Sequence, residues 1–388
     1  MDTRQFIAEH LNDDVHELAL KYRNAKVDMA LALRQIGARQ LLRRKVPSWS
    51  GNEDLLFPPH LSIEQCSSEA TAQYKAALLQ GDTLADLTGG LGIDCHFLSL
   101  RFRHTDYVEA NPELCALAEH NFGVLGDRVR VLNRTAEDYL QDATRVDCLY
   151  LDPARRDPHG RKTVSIADCT PDVTALQDRL LQQAERVLLK LSPMLDIHQA
   201  LEQLHAVAEV HVVAVGNECK ELLFLLERGH EGEPAFTCVN LQSGQPAVGF
   251  TQEEERACQA AMAAVPSAYL YEPNVALMKG GCFKLLTQRF GVEKLHPNSH
   301  LYTSDKLVAG FPGRAFRVEG WAPYNKKTRQ VLLADVDKAS VATRNFPLTV
   351  AQLRKALGVA DGDAVYLFAT TLAGGRKVVV RCTKAFAE

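Results

Sequence analysis

Apolar residues near the start of the chain recur at helical spacing. They follow one another mostly in three- and four-residue steps, at Phe6, Leu11, Val15, Leu18 and Tyr22. This period places one apolar face along a helix, and it predicts helical structure within residues 4–45. Pro, Gly and Asn interrupt the pattern between residues 47 and 59. A further helix is predicted over residues 63–79.

From residue 83 the pattern changes to short apolar strands separated by helical segments. Six strands of this kind are predicted at residues 83–87, 106–109, 129–132, 148–152, 187–191 and 210–215. Strands that alternate with helices form a doubly wound, mostly parallel sheet. A seventh strand is predicted at 222–227, joined to the sixth by residues 216–221 only. Because this connection is too short for a parallel crossover, the seventh strand is predicted to be antiparallel.

The last part of the chain has a different organisation. Residues 229–270 are interpreted as irregular, and 270–325 as short strands with a helix. Residues 326–388 are predicted to run strand, helix, strand, strand, with an extended segment at 331–335 and a helix at 349–357. The last two strands flank a hairpin turn at 373–376. Four domains follow: 1–75, a helical region; 76–228, an α/β domain; and two small α+β domains at 229–325 and 326–388.

Charge is distributed unevenly along the chain, whose net charge is −4. Residues 76–325 carry 23 basic and 33 acidic side chains, whereas residues 326–388 carry 11 and 5. The basic residues noted in the latter region are Lys326, Lys327, Arg329, Arg344, Lys355, Arg376 and Lys377. A basic region on an acidic body indicates either an anionic partner or an ordinary solvated surface.

The ten cysteines are scattered. None forms a CxxC pair or lies near histidines at ligand spacing, so neither a disulfide framework nor a metal site is expected. Scattered thiols favour a reducing compartment. Residues 1–14 do not resemble a signal peptide, and the longest apolar runs are too short to cross a bilayer. The sequence therefore predicts a cytoplasmic protein that has no membrane contact.

A glycine-rich turn, Asp86-Leu87-Thr88-Gly89-Gly90-Leu91-Gly92-Ile93-Asp94, joins the first strand of the predicted sheet to a helix. Glycines let a ligand lie against the main chain, and nucleotides bind at this edge of doubly wound sheets. The dehydrogenase pattern GxGxxG is not matched, because Thr88 stands in place of its first glycine. A carboxylate such as Asp86 suits a cationic ligand better than a pyrophosphate. A tight turn without a ligand is the alternative.

Two further polar positions fall at the ends of neighbouring strands. Glu109 ends the second strand, 23 residues after Asp86, where a carboxylate can accept hydrogen bonds from ribose hydroxyls. Asp152-Pro153-Ala154-Arg155 follows the fourth strand. Because parallel strands end at the same edge, the Asp-Pro pair is expected beside the glycine-rich turn, where its oxygens can hold an amino group.

This order of motifs resembles class I S-adenosylmethionine-dependent methyltransferases, whose fold is a Rossmann-like seven-stranded sheet. Asp-Pro-Ala-Arg is similar to the DPPY motif of nucleic-acid amino-methyltransferases, and residues 65–75 are similar to a helix of guanine-N2 enzymes. Nearly the whole chain resembles a class I group with a THUMP-like C-terminal domain, in which the segment near 270–325 is ferredoxin-like. Residues 269–304 and 343–371 carry this resemblance best.

The resemblance implies S-adenosyl-L-methionine as cofactor and RNA, such as tRNA or rRNA, as partner. The catalytic residues it implies are Asp152, Pro153 and Arg155. The cofactor-binding residues it implies are Asp86, Thr88, Gly89, Gly90, Gly92, Asp94, Glu109, Asn111, Thr135, Ala136 and Asp152. The predicted reaction is methylation of a nitrogen of an RNA base.

The chain departs from these patterns at two positions. Arg155 replaces the aromatic residue that stacks on the target base in amino-methyltransferases. Asp-Pro-Ala-Arg is also similar to a motif of uracil-C5 enzymes, but Ser192 stands near the place of their nucleophilic cysteine, and a serine alkoxide is rarely populated near neutral pH. The alternatives are a catalytically silent RNA-binding or scaffold protein that holds the cofactor, a nucleotide-dependent oxidoreductase, and a small-molecule methyltransferase.

Overall fold

The computed structural model describes residues 2–23, 26–58, 63–64, 66–142, 144–155 and 166–385. The chain divides into two compact units. The first comprises residues 1–210 and 221–232, and the second comprises residues 211–220 and 233–388. The predicted division into four domains remains a prediction.

The helices begin and end as follows: α1 Thr3–Glu9, α2 Val15–Lys21, α3 Met29–Lys45, α4 Pro47–Ser50, α5 Glu69–Leu78, α6 Ile93–Ser99, α7 Pro112–Leu125, α8 Ala136–Asp142, α9 Val173–Gln183, α10 Ile197–Gln203, α11 Gln252–Ala257, α12 Val275–Gly280, α13 Leu285–Phe290, α14 Thr328–Leu332 and α15 Val350–Leu357. The strands are β1 Thr83–Asp86, β2 His104–Glu109, β3 Val129–Asn133, β4 Val146–Leu151, β5 Ala154–Arg155, β6 Cys169–Thr170, β7 Ala184–Leu191, β8 Val207–Val215, β9 Glu218–Glu227, β10 Ala235–Leu241, β11 Val248–Thr251, β12 Tyr269–Pro273, β13 Glu293–Lys294, β14 Tyr302–Ser304, β15 Gly313–Pro323, β16 Ser340–Arg344, β17 Tyr366–Thr371 and β18 Lys377–Lys384.

The larger sheet has the strand order β11-β10-β8-β9-β7-β4-β1-β2-β3. The five adjacent strands β7, β4, β1, β2 and β3 pair in parallel with one another. On the other side of β7, strand β9 is antiparallel to it. The prediction of a Rossmann-like α/β sheet with an antiparallel seventh core strand is confirmed. The predicted count of seven strands was too low, because β10 and β11 extend the sheet to nine.

Strands β8 and β9 form a hairpin whose two turn residues, Gly216 and Asn217, have φ of 56° and 65°. Positive φ at both central residues is typical of a type I′ turn, which matches the twist of antiparallel strands. This turn reverses the chain within two residues, and β9 then enters the sheet between β8 and β7.

The interpretation of residues 229–270 as irregular was wrong, since they contain β10, β11 and α11. Phe236 and Cys238 alternate into the interior of β10, as period-two packing requires. The surrounding Gly, Pro and Glu residues hid this short pattern.

A buried asparagine joins the segment after α4 to the helix α7. Asn121, in α7, accepts a hydrogen bond from the backbone amide of Leu56 and donates one to its carbonyl, at 2.9 and 2.8 Å. Within the helix predicted at 63–79, residues 66–68 are not helical. The helix α5 begins at Glu69, where the hydroxyl of Ser68 caps it by accepting from the amide of Thr71.

The second sheet has the order β13-β14-β12-β15-β18-β17-β16 and packs on a core that includes Leu270, Phe316 and Phe368. The hairpin between β17 and β18 and the helix capped by Thr349 are confirmed. The prediction of an extended segment at 331–335 was wrong. Residues 328–332 form α14, and Leu333 turns into a core against α15 and the sheet.

Candidate active site

The glycine-rich turn begins where β1 ends and is shaped by Tyr107 of β2. A Cβ atom on Gly89 would lie 2.2 to 2.5 Å from atoms of the Tyr107 ring, so only glycine fits there. The Tyr107 hydroxyl donates a hydrogen bond of 2.6 Å to the carbonyl of Gly90. Gly90 and Gly92 have φ of 55° and 83°, a conformation that glycine adopts without steric cost. Tyr107 therefore holds the backbone of the turn close to the edge of the sheet, and the glycines leave that backbone accessible to a ligand.

Asp86 lies at the base of this turn and is fully buried. Its Oδ1 accepts a hydrogen bond of 3.0 Å from the amide of Thr88, while its Oδ2 has no hydrogen-bond partner among the described residues. Burial raises the pKa of Asp86 well above its ordinary value, and the carboxylates of Asp94, Asp152 and Glu109 raise it further. An ionised Asp86 therefore needs a positive charge nearby.

Glu109 links the ends of β1 and β2. Its Oε2 accepts a hydrogen bond of 2.9 Å from the amide of Gly90, and its Oε1 accepts one of 2.8 Å from the amide of Asn111. These bonds fix the carboxylate at the sheet edge. Because each carboxylate oxygen accepts more than one hydrogen bond, Glu109 retains capacity for hydroxyl donors.

Three further predicted positions follow β2 and β3, at the starts of α7 and α8. Asn111 Oδ1 accepts from the amide of Glu113 at the start of α7. Thr135 Oγ1 accepts from the amide of Asp138 in α8, and Ala136 is buried. The side chains of Asn111 and Thr135 therefore stabilise helix N-termini, and contact with the cofactor at these positions remains a prediction.

Asp152 follows β4 and lies beside the glycine-rich turn, as predicted. Its amide donates a hydrogen bond of 2.6 Å to the hydroxyl of Thr88, and its side chain is 38% exposed. Lys190 of β7 forms an ion pair with Asp152 Oδ2. Pro153 is buried, and Ala154 and Arg155 form β5, which pairs with β6. The side chain of Arg155, predicted to be catalytic, lies outside the described part of the chain.

A buried ion cluster beneath the turn was not predicted from the sequence. Lys75, which is fully buried, donates hydrogen bonds of 2.9 and 2.8 Å to the two carboxylate oxygens of Glu221 and lies 3.2 Å from Asp94 Oδ1. Asp94 Oδ2 accepts hydrogen bonds from Ser67 and Tyr150 at 2.6 and 2.7 Å. Lys75 and Glu221 are 146 residues apart, so no local pattern could have joined them.

This cluster determines the charge of Asp94, which directly follows the turn. Burial works against its ionised form, but Lys75 and Lys190 outweigh burial and lower the pKa of Asp94. Burial raises the pKa of Glu221, and the same two lysines oppose that rise only in part. The side chain of Asp94 therefore contacts Lys75, Ser67 and Tyr150 beneath the turn. Its role in cofactor binding remains a prediction.

The chain is similar over nearly its whole length to a protein of known structure. A crystal structure described as a "putative methyltransferase" from Porphyromonas gingivalis W83 is similar with a TM-score of 0.87 and 36% sequence identity, and the match covers 99% of this chain and 98% of that one. The chain belongs to the class I S-adenosylmethionine-dependent methyltransferases with a THUMP-like C-terminal domain.

Curated relatives agree with this assignment. Two Mycobacterium tuberculosis proteins, from strains CDC 1551 and H37Rv, are each described as an uncharacterized S-adenosylmethionine-dependent methyltransferase. Each is 23% identical to this methyltransferase over 316 residues, which is 81% of this chain and 84% of the relative.

Two domain families match the second unit of the methyltransferase. A ferredoxin-like domain family matches residues 269–312, and a THUMP domain-like family matches residues 313–384. The first range contributes β12, β13 and β14, and the second contributes β15 to β18, to one continuous sheet. In the described part of the methyltransferase, no helix is both long and apolar enough to cross a bilayer.

Charge determines what the site can accept. The acidic side chains at the turn and at the strand ends that flank it are Asp86, Asp94, Glu109 and Asp152. Among the residues that the structure describes, Lys190 and Lys75 pair with members of this set. A site with this excess of carboxyl groups is unfavourable for phosphates and favours a ligand with a sulfonium and an ammonium group. The residues of the methyltransferase therefore fit S-adenosylmethionine.

Proposed function

We propose that the methyltransferase transfers the methyl group of S-adenosylmethionine to a nitrogen of an RNA base. The observation that carries the proposal is the position of Asp152. This half-exposed carboxylate is tied to the glycine-rich turn by the 2.6 Å bond between its amide and Thr88. Donor and acceptor would therefore meet at one edge of the sheet.

The cofactor would be held by the turn and by the ends of β1 and β2. Glu109 would accept hydrogen bonds from the ribose hydroxyls, since its carboxylate is already fixed by two amides. Asp86, whose Oδ2 has no described partner, would stabilise the positive charge of the ligand. The main chain at Asn111, Thr135 and Ala136 would border the adenine.

The chain's own residues would contribute mainly by orienting the acceptor. Bound S-adenosylmethionine supplies an electrophilic methyl group and a neutral thioether leaving group, so no general acid is needed. Asp152 would accept an N–H of the acceptor amine and direct its lone pair toward the methyl carbon. The carbonyl groups beside Pro153 would assist. Orientation of this kind contributes up to about 7–11 kcal/mol. The amine would lose its proton after the transfer, so a strong base is unnecessary.

The charge of the C-terminal region supports RNA as the acceptor. Its exposed lysines, Lys326, Lys327, Lys355 and Lys377, are free to contact phosphates, whereas Arg329 donates to the carbonyls of Leu357 and Gly358 and so stabilises the fold. Phosphate contacts position nucleic acids without reading their sequence, and a paired base would have to flip out of its helix. None of the ten cysteines, all of which lie within the described residues, forms a disulfide, which suits the reducing cytoplasm in which the proposal places the reaction.

Calorimetry and a methyl-transfer assay test the proposal. S-adenosylmethionine and S-adenosylhomocysteine should bind, and total RNA from a strain that lacks the gene should accept tritiated methyl groups. Asp152→Asn should reduce transfer about 10²-fold while cofactor affinity remains. Asp178→Asn is the matched control, because Asp178 is 81% exposed. Cofactor binding without transfer to RNA would favour the silent RNA-binding protein or a small-molecule enzyme.

Salt dependence tests the RNA partner separately. Replacing Lys326, Lys327 and Lys377 by Gln should weaken RNA binding and reduce the steepness of its fall with salt concentration. RNA binding that is independent of salt, or unchanged in the triple variant, would contradict the proposed role of this surface.

A further inference from the structure

Lys190 interrupts the apolar second half of β7, residues 187–191, at the active site. Its neighbours Leu189 and Leu191 are buried, and Leu189 lies opposite Leu151 in the parallel pair of β7 and β4. This register places Lys190 on β7 next to Asp152, the first residue after β4. The Lys190 side chain is 13% exposed and that of Asp152 is 38% exposed. The lysine therefore lies on the protein side of the pair, and the carboxylate lies on the open side.

The contact uses one oxygen of the carboxylate. Lys190 Nζ donates a hydrogen bond to Asp152 Oδ2. Among the described residues, Asp152 Oδ1 makes no hydrogen bond. An ammonium group that holds one oxygen fixes the rotation of the carboxylate, and the other oxygen then points in a defined direction.

The surroundings of Lys190 keep it positively charged. Burial disfavours its charged form, but the carboxylates of Asp152, Asp94 and Glu221 outweigh burial and raise the pKa of Lys190. A permanently protonated lysine cannot act as a general base. It can hold a carboxylate through many reaction cycles.

We infer that Lys190 is a positioning residue for methyl transfer: it holds Asp152 Oδ2 so that Oδ1 receives the N–H of the acceptor amine. The inference rests on the proposed function, in which Asp152 orients that amine. It adds a residue from β7 to an acceptor site otherwise built from the motif after β4. Together, Lys190 and Asp152 present a directed acceptor to an exocyclic amino group.

The competing interpretation is that the ion pair only stabilises the fold. The energetics of buried ion pairs argue against this interpretation. Desolvation of a buried pair offsets most of its attraction, so such pairs contribute little net stability. Replacing both partners should then restore most of the stability lost in a single variant, but it should not restore the rate of methyl transfer.

The test compares Lys190→Met, Lys190→Arg and the double variant Lys190→Met/Asp152→Asn. Lys220→Met is the control, because Lys220 is exposed and also pairs with a carboxylate, that of Glu218. Each folded variant is titrated with S-adenosylhomocysteine, assayed in a single turnover with total RNA from the deletion strain, and crystallised with S-adenosylhomocysteine.

Lys190→Met should bind S-adenosylhomocysteine with unchanged affinity but transfer methyl groups about 10²-fold more slowly, as expected for a misplaced reacting group. In its crystal structure the Asp152 carboxylate should leave its wild-type orientation. Lys190→Arg should recover part of the rate, and Lys220→Met should retain all of it. A wild-type rate in Lys190→Met, or an Asp152 carboxylate that keeps its orientation there, would overturn the inference.

The failure of the proposed function is distinguishable from the failure of this inference. If the wild-type protein transfers no methyl group to RNA, the proposed function fails, and the crystal structures of the variants still decide whether Lys190 holds Asp152. If Lys190→Met does not fold, Lys190→Gln, which is also uncharged but still polar, provides the same comparison.

Discussion

The backbone amide of Asp152 donates a hydrogen bond of 2.6 Å to the hydroxyl of Thr88. This bond joins the loop that follows β4 to the glycine-rich turn that follows β1. Thr88 stands where a dinucleotide-binding turn has a glycine, and its hydroxyl gives that position a role. The bond couples the place where a cofactor would lie to the place where an acceptor would lie.

Thr88→Val should lose this coupling, because valine has the same shape but no hydroxyl. The amide of Asp152 would lose its partner, and the free energy of unfolding should fall by about 1–3 kcal/mol. Methyl transfer should fall more than cofactor affinity does. Urea unfolding, calorimetry and the tritium assay measure the three effects. Thr88→Ser retains the hydroxyl and should behave like the wild type; if it behaves like Thr88→Val, the hydrogen bond is not the cause.

Gly89→Ala should disrupt the turn, because the new methyl group would overlap the Tyr107 ring. Cofactor binding should be lost, and thermal stability should decrease. Gly123→Ala is the matched control: Gly123 lies within α7, and an added Cβ there meets nothing within 4 Å. That substitution should stabilise the protein by up to about 1 kcal/mol. Equal stability of the two variants would show that the turn tolerates a side chain.

Lys75→Met should be strongly destabilising, because it leaves Asp94 and Glu221 buried without their shared cation. Loss of one partner of a buried pair costs about 3–5 kcal/mol. Urea unfolding measures the change. The double variant Lys75→Met/Glu221→Gln removes one of the two uncompensated acids and should recover part of the loss. A double variant no more stable than Lys75→Met would contradict the charge explanation.

Asp86→Asn should increase stability in a pH-dependent manner. The pKa of Asp86 is raised in the folded protein, so between the unfolded value and the folded value the native state binds more protons. Its stability therefore falls as the pH rises through that range. Asparagine does not titrate. The melting temperature of Asp86→Asn should thus exceed that of the wild type at pH 7, and the difference should shrink as the pH approaches about 4.

Thermal unfolding between pH 4 and pH 8 measures this difference. The same variant should bind S-adenosylmethionine more weakly, since it can no longer supply a negative charge. A difference in melting temperature that is the same at pH 4 and at pH 8 would exclude the ionisation of Asp86 as its cause.

The alternation of strands and helices was sufficient to predict the core sheet, because each strand carries a local apolar signal. The short join at residues 216–221 was sufficient to predict an antiparallel seventh strand. β10 was missed because its alternation is brief and flanked by Gly and Pro. The segment at 331–335 was misinterpreted because apolar residues such as Val331 and Leu332 indicate a strand and a helix equally well over so short a length.

For the active site, motif positions could be predicted, but their contacts could not. Glu109 and Asp152 lie at the strand ends predicted for them, since strand order determines that placement. The pairing of Lys190 with Asp152 could not be predicted, because a lysine within an apolar stretch does not reveal its partner. The bond between Lys75 and Glu221 depends on packing between distant segments and had no sequence signal.

The burial of Lys75 limits where this protein can be truncated. The sequence predicts a domain boundary between residues 75 and 76, where the helical region meets the α/β domain. A protein trimmed to begin at residue 76 would lack the ammonium group that Glu221 and Asp94 share. We therefore expect the isolated catalytic fragment to be insoluble or unfolded, and a shortened version for biophysical work should retain the whole N-terminal region.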